Sequence, residues 1–244
     1  MATAILRFYE ELNDFITADR KKRQFTAPFH PGDTVKALIE SLGVPHTEVD
    51  LILINGRSAP FEQKVQQGDR ISVYPVFESL EIGRITKVRP QALRRTRFVL
   101  DVHLGRLAKS LRMLGFDTLY SNSCDDASLS RISRDQGRII LTRDRQLLKR
   151  SVITHGYCLR SDQPLEQLVE VLKRFDLSEK IRPFSRCLRC NSLLQEIDAE
   201  QAAASVPEYV ARTYQRYKTC PDCGRIYWRG SHWEQRRRIL EASL

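Results

Sequence analysis

The sequence predicts an α/β protein in three parts: a small strand-and-helix unit, a parallel sheet with helices on both faces, and a short cysteine-rich ribbon. Three observations carry this prediction. The first 77 residues set short strand-like runs around one amphipathic helix, residues from Phe98 onward repeat a strand-then-helix pattern four times, and two Cys-x-x-Cys pairs lie near the end.

In the first unit, ATAILRFY reads as a strand and RKKRQFTAPF as a second. DTVKALIESLGV puts Val35, Leu38, Ile39 and Leu42 on one helical face, with Asp33 or Thr34 as N-cap and Gly43 as C-cap. VDLILING is a third strand ending in an Asn55-Gly56 turn, and GDRISVYPV is the last. Strand, strand, helix, strand, strand is the order of a β-grasp fold, expected over residues 1–77. GDTVKALIESLGVP, LILINGR and GDRISVYPV together resemble ubiquitin-like domains of the small sulfur-carrier type. The resemblance implies a C-terminal Gly-Gly in a working carrier. Here the last strand runs into VFESLEIG and continues, so a docking or stabilising module that meets a protein partner is expected instead.

Residues 78–96 lose apolar periodicity and gain a proline and a series of Lys and Arg. They read as a basic linker, either lying along a nucleic acid backbone or simply solvated.

An α/β domain is expected over 97–178. FVLD is its first strand, and LGRLAKSLRMLG follows as a helix with Leu104, Leu107, Ala108, Leu111 and Leu114 inward and Gly115 as its stop. FDTLYS precedes the helix DDASLSRISRDQG, in which Leu129 and Ile132 face inward. RIILT precedes DRQLLKR, and SVITHGYCL precedes DQPLEQLVEVLKRFD. Short connections between such units require a parallel sheet.

An acid lies near each of the four junctions. Asp101 follows the first strand, Asp125 and Asp126 open the second helix, Asp144 follows the third strand, and Asp162 opens the fourth helix. Ligands bind open α/β sheets outside the carboxyl ends of the strands. Two readings compete: aspartate is a favoured N-cap, and clustered carboxylates are also what a divalent cation requires. Asp101 argues for the second, because a carboxylate directly after FVL is costly to desolvate unless something positive meets it. Oxygen-only ligands select Mg2+ or Mn2+. Such ions, with arginines beside them, suit hydrolysis of a phosphodiester. Arg143 and Arg145 flank Asp144, and Arg106, Lys109 and Arg112 share the polar side of the first helix, lining a nucleic acid groove or forming a solvated face. His103 is a candidate base, or a residue that bonds locally.

FVLDVHLGRLAKSLRMLGFDTLY, the DD of SCDDASL, GRIILTRDRQLL and SDQPLEQL together resemble the PIN-like ribonuclease family named for the C-terminal domain of the Mut-seven exonuclease, over roughly Phe98 to Trp233. The resemblance implies a metal-dependent nuclease with the acid quartet Asp101, Asp126, Asp144 and Asp162, Asp125 being the alternative to Asp126.

Cys187 and Cys190, then Cys220 and Cys223, form two knuckles that complete a tetrahedral Zn2+ site. With four thiolates and no open position the zinc is expected to be structural, supplying folding energy to the segment 179–244. Cys124 and Cys158 have no assigned role. The ribbon's aromatic end, with Tyr227, Trp228, His232 and Trp233 interleaved with Arg225 and Arg229, either stacks bases and contacts phosphates or covers the ribbon core.

The formal charge of +10 over 244 residues favours polyanionic partners, RNA foremost. No run approaches the roughly 18 apolar residues of a membrane span, and MATAILRFYEELND lacks the features of a secretory signal, so a cytosolic protein with reduced cysteines is expected. The expected function is a metal-dependent ribonuclease, and the alternative is an RNA-binding adaptor without catalysis. A phosphoacceptor receiver domain also gathers acids at strand ends, but SVITHGYCLRSD offers no lysine after the late strand.

Overall fold

A computed structural model describes residues 1–75, 86–88 and 96–230. Most of the basic stretch 78–96, as well as His232 and Trp233, lies outside the described residues.

In the N-terminal module, β1 (Ala2–Phe8) buries alternate residues, Ala4, Leu6 and Phe8. The next strand, β2 (Phe25–Phe29), is shorter than expected. Lys21, Lys22 and Arg23 stay exposed outside it, because pairing begins only where Phe25, Ala27 and Phe29 resume the apolar alternation. α1 (Val35–Ser41) is capped by Thr34, whose Oγ1 accepts from Ala37 N at 3.2 Å. Asp33 instead accepts from His30 N at 2.8 Å in the preceding turn. Gly43 leaves the helix at φ +103°, where a Cβ would come within 2.8 Å of Phe15 O. β3 (Val49–Ile54) turns through Asn55 and Gly56, both at positive φ, into β4 (Arg57–Ser58), and β5 (Arg70–Pro75) completes the module. The sheet order is β2-β1-β5-β3-β4, with β1 and β5 parallel at its centre, as in a β-grasp fold.

The α/β segment continues as β6 (Phe98–Leu100), α2 (Gly105–Met113), β7 (Thr118–Tyr120), α3 (Asp126–Gln136), β8 (Ile139–Thr142), α4 (Arg145–Leu148), β9 (Gly156–Cys158) and α5 (Pro164–Arg174). β6 runs parallel to β7, and β8 parallel to β9. Phe98, Val99, Leu100, Ile139, Ile140 and Leu141 are all buried, the unbroken apolar run expected of parallel strands. The last segment holds β10 (Gln195–Ile197), α6 (Ala199–Ala203), α7 (Glu208–Thr213), β11 (Tyr217–Thr219) and β12 (Ile226–Tyr227), with an antiparallel sheet in the order β10-β11-β12.

The chain forms two compact units: Met1–Arg95 with Asp125–Cys158, and Thr96–Cys124 with Leu159–Leu244. In the first, the β-grasp module is joined to the α3–β9 segment through buried polar groups. His46 Nε2 lies 2.7 Å from Ile153 O while its Nδ1 meets Glu40 Oε1 at 2.6 Å. Lys149 Nζ donates to Glu40 O, and Cys158 N donates to the buried Glu48 carboxylate at 2.6 Å. Each of these bonds offsets a desolvation cost that an unpaired group would carry. In the second unit α2 packs on α5, and the ring of Phe98 meets Phe175 edge-on at 5.5 Å. Gly115, at φ +96°, lets the chain pass Arg182, whose carbonyl oxygen a Cβ would approach to 2.1 Å. No helix among the described residues is long and apolar enough to cross a membrane.

Candidate active site and metal centre

Three of the acid positions double as helix caps. Asp101 directly follows β6 and caps the short 3-10 turn Val102–Leu104, with Oδ1 accepting from His103 N at 3.1 Å. That turn is pinned from β7, because Tyr120 Oη donates to Val102 O at 2.9 Å. A side chain at Gly105 would strike the same hydroxyl at 2.7 Å, which explains glycine as the first residue of α2. His103 has an exposed side chain, and its backbone amide is the group that bonds Asp101.

Asp125 is the N-cap of α3, and its Oδ1 accepts from Ser128 N at 2.8 Å. Hydrogen bonds from Ser128 hold its carboxyl below the usual carboxylate range. Asp126, the first helical residue, meets a cation instead: its Oδ2 lies 3.1 Å from Arg150 Nη2, both side chains being about half exposed. Nothing in the local sequence spacing announces that pair, which spans 24 residues.

Asp144 caps α4, accepting from Gln146 N at 2.7 Å while its own amide donates to Thr142 Oγ1 at 2.9 Å. Asp162 does not open its helix. Pro164 occupies the first turn of α5 and Gln163 the cap, so Asp162 sits one residue further out, exposed. In the loop before α5 the carboxylates that organise the backbone are ones that sequence reasoning missed. Glu170 accepts from Arg160 N at 3.0 Å, and Glu166 accepts from Ser161 Oγ at 2.6 Å.

The basic candidates divide. Arg106 and Lys109 are exposed on α2, and Arg143 is exposed beside Asp144. Arg145 is exposed too, with its guanidinium 5.0 Å from the centre of the Phe15 ring. Arg112 departs from the expectation of a nucleic-acid-facing side chain, being only 5% exposed. Its Nε donates to Thr118 O at 2.9 Å, and its Nη1 donates to Leu188 O and Arg189 O at 3.1 and 2.7 Å. The polar side of α2 at this point is covered by the loop between Cys187 and Cys190, a neighbour that helical periodicity does not reveal. Burial lowers the Arg112 pKa, while Cys187, Cys190 and Asp117 pull it back up.

The four cysteines converge. All four sulfurs lie within 4.8 Å of one another, with Cys187–Cys190 at 3.3 Å, Cys190–Cys220 at 3.4 Å and Cys187–Cys223 at 3.6 Å. Four thiolates around one ion at about 2.3 Å sit roughly 3.8 Å apart, so the quartet fits a single tetrahedral ion. Burial raises Cys187, but hydrogen bonds from Tyr227 and from the amides of Cys190 and Arg189 overcome it and hold the thiol down at about 6. Burial and the neighbouring sulfurs push Cys190 up to about 12. Four thiolates this close ionise together only around a cation. Among the described residues, this quartet is the one group of three or more potential ligands gathered closely enough to share an ion.

Tyr227 belongs to this centre, with Oη 3.1 Å from Cys187 Sγ and accepting from Leu188 N at 3.1 Å. Trp228 packs on the small core of Ala202, Val210 and Tyr217. Arg225 and Arg229 are exposed. Buried Cys158 directs its thiol at Arg143 O, 3.9 Å away, and Cys124 is half-buried.

Comparison with known proteins agrees with this architecture. Residues 96–240 match the Mut7-C RNAse domain family, and residues 1–81 match the Mut7-C ubiquitin family. A human protein named exonuclease mut-7 homolog is 33% identical over 141 residues, which cover 55% of this chain but 16% of that protein. Two solved structures align with 32% of this chain and 100% of their own, each with a TM-score of 0.26: small archaeal modifier protein 1 of H. volcanii at 16% identity, and a putative molybdopterin converting factor subunit 1 of Pyrococcus furiosus at 15%. With βα units carrying an acid after each strand, a thiolate quartet beyond them and a family model that covers more than half of the residues, the chain belongs to the Mut7-C RNAse domain family, a family of nucleases.

Proposed function

We propose that the protein is a metal-dependent ribonuclease acting on RNA, with Asp101, Asp126, Asp144 and Asp162 as the ligands that Mg2+ or Mn2+ would draw together. The observation that carries this reading is positional: one of these acids follows the carboxyl end of each of β6, β7, β8 and β9, where open α/β sheets build their sites. Carboxylate oxygens suit these hard cations. A cation bound there would make a bound water easier to deprotonate than bulk water and would offset the charge on the leaving oxygen. The protein's own part is orientation. The Gln146 amide holds one oxygen of Asp144, fixing the direction of the other, and the His103 amide does the same for Asp101. Arg143, Arg145 and Arg106 are exposed to grip the backbone phosphates. The cysteine quartet holds zinc as a closed structural centre, and the β-grasp module braces the α3–β9 segment while offering its remaining surface to a protein partner.

A second reading, an RNA-binding adaptor without catalysis, is favoured by one observation: Asp101 and Asp144 both serve as helix caps. The test is cleavage of a mixed single-stranded and structured RNA pool with Mg2+, with Mn2+ and with no divalent cation, comparing wild type with Asp144→Asn. Asparagine caps as well as aspartate, so the variant keeps the fold and loses only the charge. Metal-dependent cutting that falls at least 100-fold in the variant supports the nuclease. Equal RNA binding by both proteins, with no cutting by either, leaves the adaptor.

A further inference from the structure

The second unit carries a groove of about 990 Å³ on the ribbon, away from the thiolate quartet's own ligand positions. Its volume lies at the upper end of ordinary ligand sites, roughly 300–1000 Å³. Four partly exposed aromatic rings line it, those of Phe184, Tyr214, Trp228 and Tyr227, the last bonded to Cys187 and Leu188. Three cations join them. Arg216 and Arg229 are exposed, Lys218 is half-buried on β11, and the Arg229 guanidinium lies 5.4 Å from the centre of the Phe184 ring. Among the described residues none of the three cations forms an ion pair, although Glu196 and Asp198 lie on the same wall.

Partly exposed aromatic rings and cations outside any ion pair are the two elements of a single-strand site. Bases stack on the rings without regard to sequence, and the cations follow the phosphates. A duplex presents no free base faces to such a wall. An acidic peptide would use the cations but leave the rings idle.

We propose that this groove is an accessory site for single-stranded RNA, in which bases stack on Trp228 and Tyr214 while Arg216, Lys218 and Arg229 contact phosphates. The proposal rests on the ribonuclease reading for its choice of RNA, and it adds a holding site on the ribbon, built from residues other than the aspartates. A strand seated there stays tethered while another part of it is cut.

The test reads binding and not cleavage, so it stands apart from the nuclease experiment. Full-length protein carrying Trp233→Phe keeps Trp228 as its only tryptophan. It is titrated with a ten-nucleotide oligouridine, with a duplex RNA of equal charge and with a ten-residue oligoglutamate, without added divalent cation and without chelator, so that any zinc stays in place. The expected result is quenching of Trp228 fluorescence by oligouridine alone. In the double variant Arg216→Ala/Arg229→Ala, the slope of log affinity against log salt should shrink by about 1.4, since each single-strand phosphate contact contributes about 0.7. At 0.15 M salt this corresponds to roughly tenfold weaker binding. Both substituted residues are exposed, and unchanged metal content checks that the ribbon is intact. An unaltered slope without quenching overturns the proposal even if the protein cuts RNA. Quenching by oligoglutamate at equal or lower concentration overturns it in favour of a protein-binding groove.

Discussion

Replacing Arg112 with methionine removes a buried charge while nearly preserving volume, and it isolates the link between α2 and the cysteine knuckle. Three backbone carbonyls lose their donor: Thr118 O at the start of β7, and Leu188 O and Arg189 O inside the knuckle. At about 1–1.5 kcal/mol for each bond, the loss comes to roughly 3–4.5 kcal/mol, partly offset by no longer burying a guanidinium. For a chain of this size that lowers Tm by about 6–15 °C. The charge also faces Cys187 and Cys190 and attracts their thiolate forms, so zinc affinity should fall about 10–100-fold, as when an outer-shell partner is lost. Thermal unfolding and zinc release to a colorimetric chelator measure the two effects, with Arg106→Met, an exposed site on the same helix, as control. Wild-type protein should carry about one zinc per chain. If Arg112→Met melts within 2 °C of wild type and releases zinc at the same chelator concentration, the guanidinium is not a brace and the reasoning fails.

Asp125→Ala should lower Tm at pH 7, and the difference from wild type should shrink as the solution is acidified. The folded carboxyl is held below its unfolded pKa of about 3.8 by Ser128, so its contribution is present above that value and disappears as pH falls through the folded pKa; melts across pH 2.5–7 check this. RNA cleavage should survive Asp125→Ala and be lost in Asp126→Asn, and the reverse would exchange their roles. His46→Ala should destabilise the first unit by about 2–3 kcal/mol, since Ile153 O and Glu40 both lose a buried partner. Urea unfolding measures it, and a change under 0.5 kcal/mol would refute that role.

Local pattern made much of this protein legible. The succession of strands and helix along the β-grasp module, apart from the short β4, the Asn55-Gly56 turn, the βα units and the cysteine pairs all follow from hydrophobic period, turn chemistry and ligand spacing, which act over a few residues. The acids after the strands were visible for the same reason. Sequence also narrowed the cap of α1 to Asp33 or Thr34 and left the choice to geometry, which gave it to Thr34.

Only the tertiary structure decided where distant segments meet. Arg112 reads as a surface residue because its periodicity is polar, yet the knuckle 76 residues later covers it. Asp126 finds Arg150, and His46 finds Ile153 across 107 residues. The division of the chain into units that each combine separated stretches is equally invisible to a reading along the chain. The physical reason is common to all of these cases. Propensity and capping are settled by neighbours in sequence, whereas burial of a charge, and the partner that makes it tolerable, depend on which surfaces the folded chain brings into contact.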